Sequence, residues 1–145
     1  MLKMFFVISQ NRIIQTMLTN QIHPTELQIA HLKSYPKDTP IVMLNILKFK
    51  TLTSTNETGR EAYARYFKNV APFVEIAEAK IIWKGDVHTS FIGNLDNQPQ
   101  LIFLVEYPSI DHFFTMVSNP AYQKIAADRS IALDYGGLIA CQTTQ

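Results

Sequence analysis

The sequence predicts an α+β chain with the ferredoxin-like order strand, helix, strand, strand, helix, strand. Three observations carry that expectation: a β-favouring run at 41–49, a long amphipathic stripe at about 60–79, and a strand pair followed by helical spacing and an apolar C-terminal strand. This order places two helices on one face of a four-stranded antiparallel sheet over residues 40–142, with residues 1–39 as an N-terminal extension of a single domain.

In the extension, Thr25-Glu26-Leu27-Gln28 has the Thr-x-x-Gln form of a capping box and predicts a helix over about 25–34. Pro40 then bounds the run Ile41 to Phe49, which reads as an interior strand. Tyr63, Tyr66, Phe67, Val70, Phe73, Val74 and Ala77 recur at spacings of three and four and define one helical face, which Pro72 is expected to bend. Glu61 and Arg65 stand four apart on the other face, in the favourable order for an ion pair.

Lys80 to Val87 and His88 to Gly93 read as one long strand interrupted near Gly85. After the polar turn Asp96-Asn97-Gln98-Pro99, Leu101 to Tyr107 reads as its antiparallel neighbour. Ser109 can cap a short helix whose first turn holds Asp111, where the helix dipole favours negative charge. Asn119-Pro120 restarts a helix, with asparagine as cap and proline at its first position. Gly136-Gly137 are expected to stop it, and Leu138 to Gln142 to form the last strand.

Composition narrows function by exclusion. Thirteen basic and twelve acidic residues leave a net charge of +1, too little for a field that gathers nucleic acid or an anionic membrane. Cys141 stands alone, so neither an intramolecular disulfide nor a cysteine-held metal or iron–sulfur centre is expected, which suits a reducing, cytoplasmic setting. The apolar run Met4 to Ile8 is too short for a signal-peptide core or a membrane span. His23, His31, His88 and His112 share no metal-ligand spacing, and the five glycines form no phosphate-cradling loop. No metal or cofactor is implied by the residues themselves. Tyr-Pro-Ser-Ile around Ser109 lacks the glycines of a nucleophile elbow, and Cys141 reads as an inert thiol buried in an apolar strand.

Self-association is expected from the first strand. One alternating set is Val42, Leu44, Ile46 and Lys48, the other Met43, Asn45, Leu47 and Phe49, and neither is a solvent face. Helices cover one side; the same sheet face of a second copy is the simplest cover for the other, giving a homodimer. The alternative cover is the N-terminal extension folded back.

Polar residues placed on apolar faces mark the candidate site. Asn45 interrupts an apolar strand and needs hydrogen-bond partners, either a neighbouring loop or a ligand. Arg129 shares a helix face with Tyr122 and Ile125, and Glu106 ends the third strand beside Tyr107. A buried Arg129–Glu106 pair is expected, as a lock between helix and sheet or as an anion clamp with a general base. Tyr63, Tyr66 and Trp83 read as core aromatics that can frame a pocket.

Pro40 to Leu47, Gly59-Arg60-Glu61-Ala62-Tyr63, Trp83-Lys84-Gly85, Ile92-Gly93, Val105-Glu106-Tyr107-Pro108-Ser109 and Asn119-Pro120-Ala121-Tyr122-Gln123 together resemble the domain-of-unknown-function family 1330, over about residues 22–142. The resemblance implies the dimeric α/β-barrel superfamily, which includes cofactor-free oxygenases, isomerases and haem-dependent enzymes. The chain departs from that pattern at Asn97-Gln98-Pro99-Gln100, at Asp128-Arg129 and at Tyr135-Gly136-Gly137, where many such proteins carry Trp-Asp, His-Arg and an arginine.

Two functions follow as expectations. One is a small-molecule enzyme without a tightly held cofactor, with a pocket between sheet and helices lined by Asn45, Tyr63, Trp83, Tyr107, Tyr122, Glu106 and Arg129. The other is a non-catalytic binding or structural dimer built on the same residues. A haem-associated protein is a third, suggested by the superfamily alone.

Overall fold

The structure, a computed structural model, describes residues 22–145. The Met4–Ile8 run lies outside the described residues. Helix α1 (Glu26–Lys33) begins at the expected capping box: the Thr25 hydroxyl accepts the Gln28 N–H at 3.2 Å, and the Gln28 side chain accepts the Thr25 N–H at 2.9 Å. Strand β1 (Ile41–Phe49) follows, then α2 (Gly59–Ile76), β2 (Lys80–Asp86), β3 (Leu101–Tyr107), α3 (Ile110–Val117), α4 (Pro120–Ala132) and β4 (Leu133–Cys141). The sheet order is β2-β3-β1-β4 with every neighbouring pair antiparallel, the ferredoxin-like arrangement.

Pleating sorts β1 and β3 into two faces. Ile41, Met43 and Leu47 on β1, with Leu101, Phe103, Val105 and Tyr107 on β3, are buried beneath the helices. Their alternates Val42, Leu44, Ile46, Ile102 and Leu104 point to the opposite face, which we term the open face. On that face Ile139 of β4 and Trp83 of β2 stay about half exposed, at 48% and 54%. Trp83 is therefore not the core aromatic that the sequence suggests: its partner across the β2–β3 ladder is Leu104, on the open side.

Gly59 shows where close approach, rather than a turn, requires glycine. Its N–H donates to Lys50 O at 2.9 Å, and Lys50 N–H donates to Ala132 O at 2.9 Å, so the start of α2, the exit of β1 and the end of α4 meet backbone to backbone. An added Cβ would lie 2.6 Å from Lys50 N and O and closer still to Ala132 O.

Several expectations are corrected. Residues 88–93 form no strand: the β2–β3 ladder ends at Asp86 opposite Leu101, Val87 N–H still donates to Gln100 O at 3.0 Å, and the chain then leaves the sheet. Instead 87–100 is a loop pinned at its base, where Gln100 N–H donates to Leu47 O at 2.8 Å and the Gln100 side chain accepts Phe49 N–H at 2.8 Å. Phe91 and Ile92 stand exposed at its tip. Gly136 and Gly137 do not stop α4: the helix passes directly into β4 at Leu133, and both glycines lie inside the strand. Helix α2 runs through Pro72 to Ile76, within the span expected for it.

Glu61 does not pair with Arg65. It serves as the capping-box partner of Thr58, accepting that N–H at 2.8 Å, and Arg65 reaches Glu57 and Asp128 instead. Cys141 is half-buried, opposite Val42 on the open side, rather than enclosed. Among the described residues no helix is long and apolar enough to cross a membrane.

Candidate functional site

The helix side of the sheet holds an open-sided cleft of about 1710 Å³. Its floor is Met43, Asn45, Phe103, Val105 and Tyr107, its walls are α2 and α4, and α1 with the residues before it closes a further side. Tyr63 and Tyr66 come from successive turns of α2, and Tyr122 and Arg129 from α4 two turns apart, which is how helical spacing aims all four inward.

Arg129 is half-buried and held by two backbone carbonyls. Its Nη2 donates to Gly136 O at 3.0 Å and its Nη1 to Ile22 O at 2.9 Å. The twelve acidic side chains of the sequence all lie between Glu26 and Asp134, and none forms an ion pair with Arg129. The guanidinium thus presents a positive charge to a cleft whose described lining contains no carboxylate.

Gly136 makes this seat. A Cβ there would come within 2.7 Å of Arg129 Nη2 and 2.8 Å of Leu133 Cδ1. The glycine pair that looks like a helix stop in the sequence is a cradle in the fold, and only the register of β4 reveals it.

The phenols supply neutral donors. The Tyr66 and Tyr122 hydroxyls lie 3.0 Å apart in a buried hydrogen bond. Burial pushes the Tyr63, Tyr66 and Tyr107 phenols well above their ordinary range, and the Arg129 charge only partly opposes this at Tyr63 and Tyr66. All three therefore keep their protons near neutral pH. The Tyr63 and Tyr107 hydroxyls make no hydrogen bond among the described residues, and both side chains line the cleft. Asn45 Nδ2 donates to Met43 O at 3.2 Å, so the amide ties to its own strand rather than to a loop.

The expected site is thus assembled in part. Asn45, Tyr63, Tyr107, Tyr122 and Arg129 line one cleft. Glu106 does not join them: it alternates with Val105 and Tyr107 and faces Val42 and Lys80 across the open side, so the Arg129–Glu106 pair is not formed. Trp83 is on that same open side. The sequence places both residues on strands but does not say which pleat faces the helices.

A serine–histidine–carboxylate chain occurs elsewhere. Ser109 Oγ lies 2.6 Å from His112 Nδ1, and His112 Nε2 lies 3.1 Å from Glu78 Oε2. Ser109 is buried and occupied as the cap of α3, accepting His112 N–H at 3.3 Å, and none of the three lines the cleft. Among the described residues no three His, Cys, Asp or Glu side chains gather as metal ligands.

The model of the family described as domain of unknown function (DUF1330) matches residues 51–140, well over half of the chain. The chain belongs to the DUF1330 family. Among solved structures, this DUF1330 chain is similar to the RPA0582 protein of unknown function from Rhodopseudomonas palustris. The two are 29% identical, with 88% of this chain and 99% of that one covered and a TM-score of 0.82. The methylated form of RPA0582 gives a TM-score of 0.83 at 29% identity, covering 88% and 97%. The At3g17210 protein from Arabidopsis thaliana is 20% identical over 72% of this chain and 96% of its own, with a TM-score of 0.52, a likeness of fold alone. No curated protein matches the chain.

Proposed function

We propose that this chain forms one domain and works as a homodimer joined through the open sheet faces, with a cleft in each protomer that binds a small, largely apolar anion. The observation that carries the ligand class is Arg129: a guanidinium facing an apolar, tyrosine-rich cleft with no carboxylate to neutralise it. The apolar side chains on the open face support the dimer. The lone cysteine fits a reducing, cytoplasmic setting.

With Glu106 on the other side of the sheet, the cleft lacks the general base that acid–base catalysis through this residue would need. That favours binding over proton transfer as its primary role. Where the bound molecule also reacts, without a tightly held cofactor, Arg129 and the neutral phenols would act as donors to an oxygen that gains charge. Calorimetry with benzoate, hexanoate and the neutral analogue benzyl alcohol tests the reading. The carboxylates should bind, benzyl alcohol should bind at least tenfold more weakly, and Arg129→Gln should remove the difference, equivalent to about 1.4 kcal/mol or more. Equal affinity for charged and neutral probes, or none for either, would overturn it.

A further inference from the structure

We infer that the backbone carbonyl of Ile22 occupies the anion subsite of the cleft, so that the segment leading into α1 competes with the ligand for Arg129. This rests on the anion-binding reading above and adds a mode of regulation to it.

The two ends of the guanidinium are held differently. Nη2 is committed to Gly136 O in the interior of β4, where the glycine seat fixes the plane of the group. Nη1 is directed at Ile22 O, a neutral acceptor that leaves the arginine charge uncompensated. A carboxylate oxygen in that position would accept the same bond and add the negative charge that the neutral carbonyl lacks, completing a guanidinium–carboxylate pair. Ile22 therefore sits where an anionic ligand has most to gain.

Among the described residues, the segment 22–36 is fastened mainly at its C-terminal end. At its C-terminal end Leu32 and Tyr35 pack on the core, and the Tyr35 hydroxyl donates to Pro40 O at 2.8 Å. Helix α1 buries none of its own residues. At the N-terminal end the hydrogen bonds to other elements among the described residues are those of the Ile22 carbonyl and a long 3.4 Å approach of His23 Nε2 to Ser130 Oγ. The Thr25–Gln28 capping box is internal to the segment, so α1 keeps its first turn when this end lifts. Displacement of Ile22 thus swings a preformed helix about Leu32–Tyr35 and widens the cleft on that side.

Hydrogen exchange on the full chain tests the competition, read on peptides covering residues 22–29. Without ligand, Arg129→Gln should speed exchange there by roughly threefold or more, since a local contact has been released. Saturating benzoate should do the same in the wild-type chain and add nothing in Arg129→Gln, and benzyl alcohol should leave exchange unchanged. Unchanged exchange in Arg129→Gln would overturn the inference, as would benzoate that binds while protecting the segment or leaving it unaffected. In those cases the anion-binding reading stands. If benzoate does not bind although Arg129→Gln frees the segment, the anion-binding reading fails and the competition with it.

Discussion

At the residue scale, Arg129 and Gly136 form one unit, and a substitution at either should be read at the ligand. In Gly136→Ala the new methyl would meet Arg129 Nη2 at 2.7 Å, the far end of a flexible side chain that can move away. Because the methyl would also meet the fully buried Leu133 Cδ1 at 2.8 Å, the expected outcome is a lowered melting temperature together with benzoate affinity lowered at least about tenfold, checked by calorimetry beside a thermal melt. Tyr66 and Tyr122 share one buried hydrogen bond, so removing either hydroxyl leaves the other without its partner. A double-mutant cycle through Tyr66→Phe and Tyr122→Phe should return a coupling energy of about 1 kcal/mol in urea unfolding. Additive effects would show that the hydroxyls find other partners.

At the element scale, Arg65 is a hub between α2, the loop before it and α4. It reaches Glu57 through Nη1 at 2.8 Å and Nη2 at 2.6 Å, and Asp128 through Nη2 at 2.9 Å. The Arg65 hydrogen bonds, and then that of Thr55, hold the Glu57 carboxyl down to about 2 from the ordinary 4.5. A depressed carboxyl contributes stability that is present above its unfolded value and lost as pH falls through the folded one. Melting temperature should therefore fall between about pH 5 and pH 2, and Glu57→Gln should flatten that part of the profile. Because Glu57 and Arg65 both remain partly exposed, salt should weaken the effect. The hub also explains why the Glu61–Arg65 spacing misleads: Glu61 is taken by the capping box, and Asp128, sixty-three residues along the chain, is invisible to local spacing.

At the scale of the whole molecule, the two sides of the sheet are covered differently. Helices turn one side into a cleft, and the other carries the apolar alternates Val42, Leu44, Ile46, Ile102 and Leu104. Sedimentation should show a dimer at micromolar concentration, and Leu44→Glu, near the middle of the open face, should yield folded monomer by placing an unpaired charge where apolar groups meet. A wild-type monomer would remove the dimer. The 87–100 loop offers a contrast in legibility. Residues 88–93 read as a strand from the sequence, yet a strand requires a neighbour, and the pairing with β3 ends at Asp86 and Leu101 with one further bond from Val87 N–H to Gln100 O.

The sequence by itself determined the order of elements, because periodicity, caps and proline placement are local. It placed β1 and β3 at their observed bounds and predicted the caps at Thr25, Ser109 and Asn119. It also gathered the polar and aromatic residues from which a site is drawn. Tertiary structure alone decided which of them meet. Pleating sent Glu106 and Trp83 to the side opposite Arg129, and register set Gly136 beside the guanidinium. Packing of the segment before α1 against α4 brought Ile22 O to Nη1. Each depends on strand pairing or packing between segments distant in the chain, which local physics does not encode.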